Sequence, residues 1–239
     1  RKDDIIISKR FMVYENKVGA GGSVRQAQAP SKNKTHQQLD FDISFGGYYV
    51  MSPRDELKIM IRQNYRWDKT TKNLKPFSVD ESSKKLEFRF FDDENTFPGG
   101  NEFRFFDARS TYNRGLFVDR IHRGKEDDMW ISPQNNRSNF AFIEANDFDG
   151  TFVIDNREGS NGETEADYIH TTFQLKTQEL DADDKVYVNG GFNNWHLDKR
   201  NEMAYDNEFG GYLATIQLKQ GVYNYNFVVQ KGNNPPDEV

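Results

Sequence analysis

The 239 residues contain no cysteine. Disulfides, thiol catalysis and cysteine-based zinc sites are therefore excluded. No apolar run approaches the ~20 residues that a helix needs to cross a bilayer, so no membrane insertion is expected. Basic residues form no long stripe, and the net charge is -6 with a sequence pI near 5.4. That balance argues against a nucleic-acid partner. Histidine is scarce: His36, His122, His170 and His196 show neither His-x-x-x-His nor His-Glu-x-x-His spacing. No metal site is expected from such scattered ligands. Asn146–Gly150 fails as a calcium loop, because Ala145 and Asn156 stand where acids are needed. Gly19–Ser23 is not a phosphate loop, since no Gly-Lys-Ser/Thr follows it. A Gly-x-Ser-x-Gly elbow is missing as well. The acidic runs at Asp92–Glu94, Asp127–Asp128 and Asp181–Asp184 fit solvated turns. The chain therefore offers no catalytic residue to nominate, and neither an enzyme nor a cofactor is expected. It opens at Arg1 with strand-like sequence and no visible leader, which suggests a fragment or processed product.

Aromatic residues are what the chain has in quantity: 14%, with 20 Phe and 11 Tyr. Such side chains fit pleated surfaces. Period-2 alternation runs through Leu39–Phe45, Leu57–Ile61, Leu86–Phe90, Ile169–Leu175, Tyr212–Leu218 and Tyr223–Val229. No long window has helical periodicity. The expected fold class is all-β, with tandem β-sandwich domains of immunoglobulin-like or early-set type. Ile5–Ile7 and Phe11–Tyr14 read as strands closing a preceding β-domain. Gly19–Ser23 reads as a flexible joint, and Gln26–Lys34 as a loop. Asp149-Gly150 is a hairpin turn signal. A glycine-bearing polar stretch at Glu158–Glu165 marks a boundary. The expected organisation is a remnant at 1–17, a central sandwich at 18–160 and a C-terminal sandwich at 161–239.

The stretch Gly99–Ser110 is the chain's most distinctive. Gly99, Gly100 and Asn101 make a turn. In the strand that follows, Glu102, Arg104 and Phe106 share one face, and Phe103, Phe105 and Asp107 the other. The expectation is that Phe103 and Phe105 enter the core, that Glu102 pairs with Arg104, and that Asp107 pairs with Arg109 at the core edge. Buried charges are costly unless paired, so the set reads as a structural clamp. Arg66 and Trp67 belong to a second such cluster, Gln63–Asp68, where aromatic and charged groups sit together.

Two resemblances attach to these residues. Val186–Trp195, Met203, Gly211-Tyr212, Leu218–Gly221 and Tyr223–Val228 resemble the glycogen-binding modules of the early-set class. That likeness implies a sugar-stacking role for Trp195, with Asn194 beside it. The family's later tryptophan has no counterpart in Gln230–Asn233. Over most of the chain, Thr35–Phe41, Gln63–Asp68, Gly99–Ser110, Glu165–Tyr168 and Phe192–Trp195 resemble, in order, motifs of the type 9 secretion system plug protein family. This implies a periplasmic, non-enzymatic protein. It would close the periplasmic side of the outer-membrane translocon barrel, its protein partner. The alternative is a carbohydrate-binding envelope protein that uses Trp195.

Overall fold

A computed structural model of the chain describes residues 11–138 and 147–239. Strand accounts for 44% and helix for 6%, so the chain is all-β, as its patterning requires. It divides into two compact units. One comprises the chain through Ile61 together with Thr71–Gly99; the other combines Arg62–Thr70 with Gly100–Val239.

The first unit is built on β1 (Gly19–Gln26) and β2 (His36–Ser44), antiparallel over eight residue pairs. A one-turn helix α1 (Pro53–Glu56) precedes the paired strands β3 (Ile59–Arg62) and β4 (Thr70–Leu74). β5 (Ser78–Asp80), β6 (Lys85–Phe88) and β7 (Thr96–Pro98) complete a sheet of order β1-β2-β6-β5, with β7 also on β2. Phe41, Phe45, Leu86 and Phe88 are buried in one cluster. Phe41 and Phe88 stack at 4.4 Å. Buried Asp40 is held by Arg25 at 2.5 Å and by Gln38 at 3.0 Å. Two expectations are corrected here. Gly19–Ser23 is strand and not a joint, because β2 supplies a partner for every residue of it. Phe11–Tyr14 lies in no strand and is exposed, with Phe11 at 83%. Ile5–Ile7 lies outside the described residues.

The second unit begins with β8 (Arg104–Asp107), β9 (Val118–His122), β10 (Asp127–Ile131), β11 (Gln134–Asn135) and β12 (Phe152–Ile154). A one-turn helix α2 (Gly162–Glu165), capped by the Asn161 side chain, leads into β13 (Tyr168–Lys176). There follow β14 (Asp184–Gly190), β15 (Glu202–Asp206), β16 (Gly211–Lys219), β17 (Gly221–Lys231) and β18 (Asp237–Glu238). The strand path is β12-β17-β14-β15-β16-β13-β10-β9, with β8 and β18 on β17 and β11 on β13. β15 pairs with both β14 and β16, so the path turns over there into two facing layers. Tyr223, Tyr225 and Phe227 of β17 meet Phe173 of β13 and Phe106 of β8 between them.

The division at residue 161 is corrected by this topology. β8 and β12 hydrogen-bond to β17, and β10 to β13, so the strands before and after 161 share one core. Long-range pairing of that kind has no local sequence marker. The polar stretch that suggested a boundary is a surface connection between β12 and β13.

Candidate functional site

The charged set on β8 is the natural place to begin. Its faces are the reverse of the expectation. Phe106 is fully buried against Tyr223 and Phe173, and Arg104 lies on the same inward face, 4% exposed. Phe103 and Phe105 are only half-buried. Antiparallel pairing of Phe106 with Tyr223 sets this phase, because the inward side of β17 is aromatic. Arg104 does not ion-pair with Glu102. Its Nη2 donates to the Asn135 carbonyl at 2.9 Å, and its guanidinium lies 5.0 Å from the Phe227 ring centroid. Among the described residues its Nε has no partner, nor does the buried hydroxyl of Tyr225. Burial and the nearby Arg137 pull the Arg104 guanidinium down to about 10, against the opposing pull of Tyr225 and Glu238.

Asp107 behaves as a clamp. Arg109 donates to its carboxylate from Nε at 2.9 Å and from Nη2 at 2.7 Å. Arg157 adds a bond at 3.0 Å. Burial would raise the Asp107 carboxyl, but these guanidiniums hold it below the ordinary aspartate value. Asp155 reaches Arg109 at 3.4 Å. Arg157 and Asp155 are clamp members that the sequence did not mark, being about fifty positions away. A carboxylate bonded by two guanidiniums stays ionised and engaged, which suits a brace and not an acid–base catalyst.

The expected turn at Gly99–Asn101 is corrected: the segment between β7 and β8 has no turn. Gly99 donates its N–H to the Thr35 carbonyl at 2.8 Å and belongs to the first unit. Gly100 opens the second; a Cβ there would come 2.6 Å from Glu238 Oε2. Asn101 and Glu102 are half-buried, and the Glu102 carbonyl accepts from Arg137 at 3.3 Å.

Three distant segments meet at Trp195. The Arg66 guanidinium lies 3.9 Å from the indole centroid, and the Phe103 ring centroid is 5.4 Å away. Arg66 is itself fixed by Asp68 at 2.6 Å, and Arg62 lies 4.4 Å over Trp67. Beneath the cluster, Asp149 and Gly150 have φ of 51° and 79° and form the anticipated turn, closed by Thr151 N–H to Phe148 carbonyl at 3.0 Å. A Cβ on Gly150 would come 2.9 Å from both Phe103 and Trp195. Asn224 of β17, fully buried, accepts the N–H groups of Phe148 and Gly150 at 2.6 and 3.2 Å. Asn224 is a site residue that sequence reasoning missed; its only signal was polarity inside an aromatic strand. Asn194 is exposed, and both it and Trp195 have left-handed backbone, φ 53° and 62°. The indole thus carries a guanidinium over one face, with the tilted Phe103 ring beside it.

Among the described residues no group of three or more His, Asp or Glu side chains is arranged to hold a metal. His122 and His170 do come together at Asp128, each at 3.7 Å, which their spacing in sequence did not announce.

Fold and site together define an all-β protein braced by arginine–carboxylate and arginine–aromatic contacts. No family model matches the chain, and no curated protein matches it. Among solved structures it is similar to a hypothetical protein from Parabacteroides merdae, with a TM-score of 0.78 and 28% identity over 92% of this chain. The match covers 55% of that protein, so this chain spans about half its length.

Proposed function

We propose that the chain is a non-enzymatic periplasmic plug or accessory subunit that closes the periplasmic side of the type 9 secretion system outer-membrane translocon barrel. The observation that supports this reading is the meeting of Arg66, Phe103 and Trp195. They come from three of the motifs that carry the resemblance. Side chains that must fit one another make three separate likenesses parts of a single construction. The β8 charges point the same way: Asp107 is engaged by two arginines within the protein. A plug needs bulk, rigidity and a polar contact that releases, and no chemistry. The alternative, carbohydrate binding through Trp195 and Asn194, requires an open indole face, and Arg66 takes one of the two.

The test is a pull-down from envelope extracts paired with deletion of the gene. Recovery of an outer-membrane barrel, weakened by salt, and increased entry of a large dye after deletion are the expected results. Unchanged permeability with no barrel recovered refutes the plug. Micromolar binding of a soluble glucan, abolished by Trp195→Ala, would establish the alternative.

A further inference from the structure

The loop joining β8 to β9 exposes large apolar side chains. Tyr112, Leu116 and Phe117 are 62%, 64% and 47% exposed. Phe117 packs edge-on against Phe105 at 4.8 Å, and Phe105 against exposed Phe148 at 6.4 Å. Phe105, Phe117 and Phe148 therefore form one aromatic patch, with Leu116 next to it in the chain.

Beside it stand Arg114, Arg120 and Arg123, lining with Tyr112 a shallow cleft of about 380 Å³. Arginines elsewhere, such as Arg25, Arg89, Arg109 and Arg200, are ion-paired. These three have no carboxylate partner among the described residues. Arg114 donates to the Asp119 carbonyl at 2.8 Å, Arg120 lies 4.2 Å over Trp130, and Arg123 lies 3.7 Å over Tyr112. Stacking fixes a guanidinium plane while leaving its N–H groups free to bind an anion. Three neighbouring acids are directed away from the arginines: Glu126 and Asp128 face His170 and His122, and Asp127 accepts the Gly124 N–H, though each keeps its charge. Among the described residues, Asp119 is the one acid that lines the cleft.

β9 ends its sheet path, but its edge is a poor template for another strand. A bulge leaves Asp119 out of register with β10, and Arg114 occupies its carbonyl. An occupant must therefore be held by side chains. An acidic protein segment would satisfy the arginines but leave Leu116 and Phe117 in water. The boundary of an anionic bilayer satisfies both, taking apolar side chains among the acyl chains and guanidiniums at the phosphates.

We infer that this face, Tyr112–Arg123 with Phe105 and Phe148, adsorbs the protein onto an anionic phospholipid surface. The inference goes beyond the proposed plug and stands without it. The whole chain is to be sedimented with vesicles of phosphatidylglycerol mixed with phosphatidylcholine, and with phosphatidylcholine alone. Binding is expected to the mixed vesicles only, falling as salt rises. Each basic residue at such a surface contributes on the order of fivefold. The triple variant Arg114→Gln, Arg120→Gln, Arg123→Gln should therefore bind roughly 100-fold more weakly. Leu116→Ser, at an exposed position that leaves the core intact, should also weaken binding. Circular dichroism verifies the fold of each variant. No vesicle binding, binding unaffected by either variant, or capture by polyglutamate in place of vesicles would each overturn the inference.

Discussion

Arg104 and Asp107 stand three residues apart on β8 and are 4% and 6% exposed, yet they should respond oppositely to neutralisation. Consider Arg104→Met. Burial brings the guanidinium from its ordinary 12.5 to about 10, which corresponds to about 3 kcal/mol against the folded state at neutral pH. The favourable side holds one charge-assisted bond to Asn135, about 1.5–3 kcal/mol. It also holds the contact with Phe227, about 0.5–2 kcal/mol. These terms nearly cancel. Methionine keeps an unbranched apolar stem over Phe227 and removes the charge, so the variant should lie within about 1 kcal/mol of the parent.

Asp107→Asn is different. It removes the negative partner of Arg109 and Arg157 while keeping the shape. A sealed pair broken in this way loses about 3–5 kcal/mol. Here the arginine side chains remain 28% and 54% exposed and can turn partly to water, so about 2–3 kcal/mol is expected. Urea unfolding at neutral pH, followed by tryptophan fluorescence, measures both. A loss above about 3 kcal/mol for Arg104→Met, or below about 1 for Asp107→Asn, would refute the reasoning.

The same clamp makes an acid-stability prediction. The Asp107 carboxyl is held below its ordinary value in the folded protein, so its contribution is complete above the unfolded value and lost as pH falls through the folded one. The stability gap between the parent and Asp107→Asn should therefore shrink below about pH 4, measured by urea midpoints across pH. Gly150→Ala combines φ 79° with a Cβ 2.9 Å from Phe103 and Trp195. It should cost about 2 kcal/mol or more, seen as a lower Tm. Asn224→Leu leaves the Phe148 and Gly150 N–H groups without their acceptor and should cost about 2–4 kcal/mol, checked by chemical unfolding. Arg66→Ala uncovers one face of Trp195; about 1 kcal/mol of stability should go, with a red shift in tryptophan emission.

Local pattern carried the strand content. Ile169–Leu175 and Tyr223–Val229 alternate so regularly that their inward faces were legible residue by residue, and the structure buries Phe173, Tyr225 and Phe227 fully. Asp149-Gly150 was legible as a turn because its chemistry suits two consecutive left-handed residues. The pairing of Asp107 with Arg109 was legible because both lie within one short stretch. What period-2 patterning leaves undetermined is phase and partner. At β8 both faces carry phenylalanine and charge, so hydrophobicity could not choose between them. Pairing with the aromatic side of β17 turned Phe106 and Arg104 inward. At β1 a glycine-rich run looked like a joint until β2 supplied its hydrogen bonds. Trp195 stood out by its resemblance to a platform, and nothing near it in the chain announced that Arg66, about 130 residues away, would lie over one face of its ring. The physical reason is common to all three. Alternation and turn preference are settled by neighbours in the chain, whereas the side that is buried and the group that meets a charge or an indole are settled by residues brought close only when the sheets assemble.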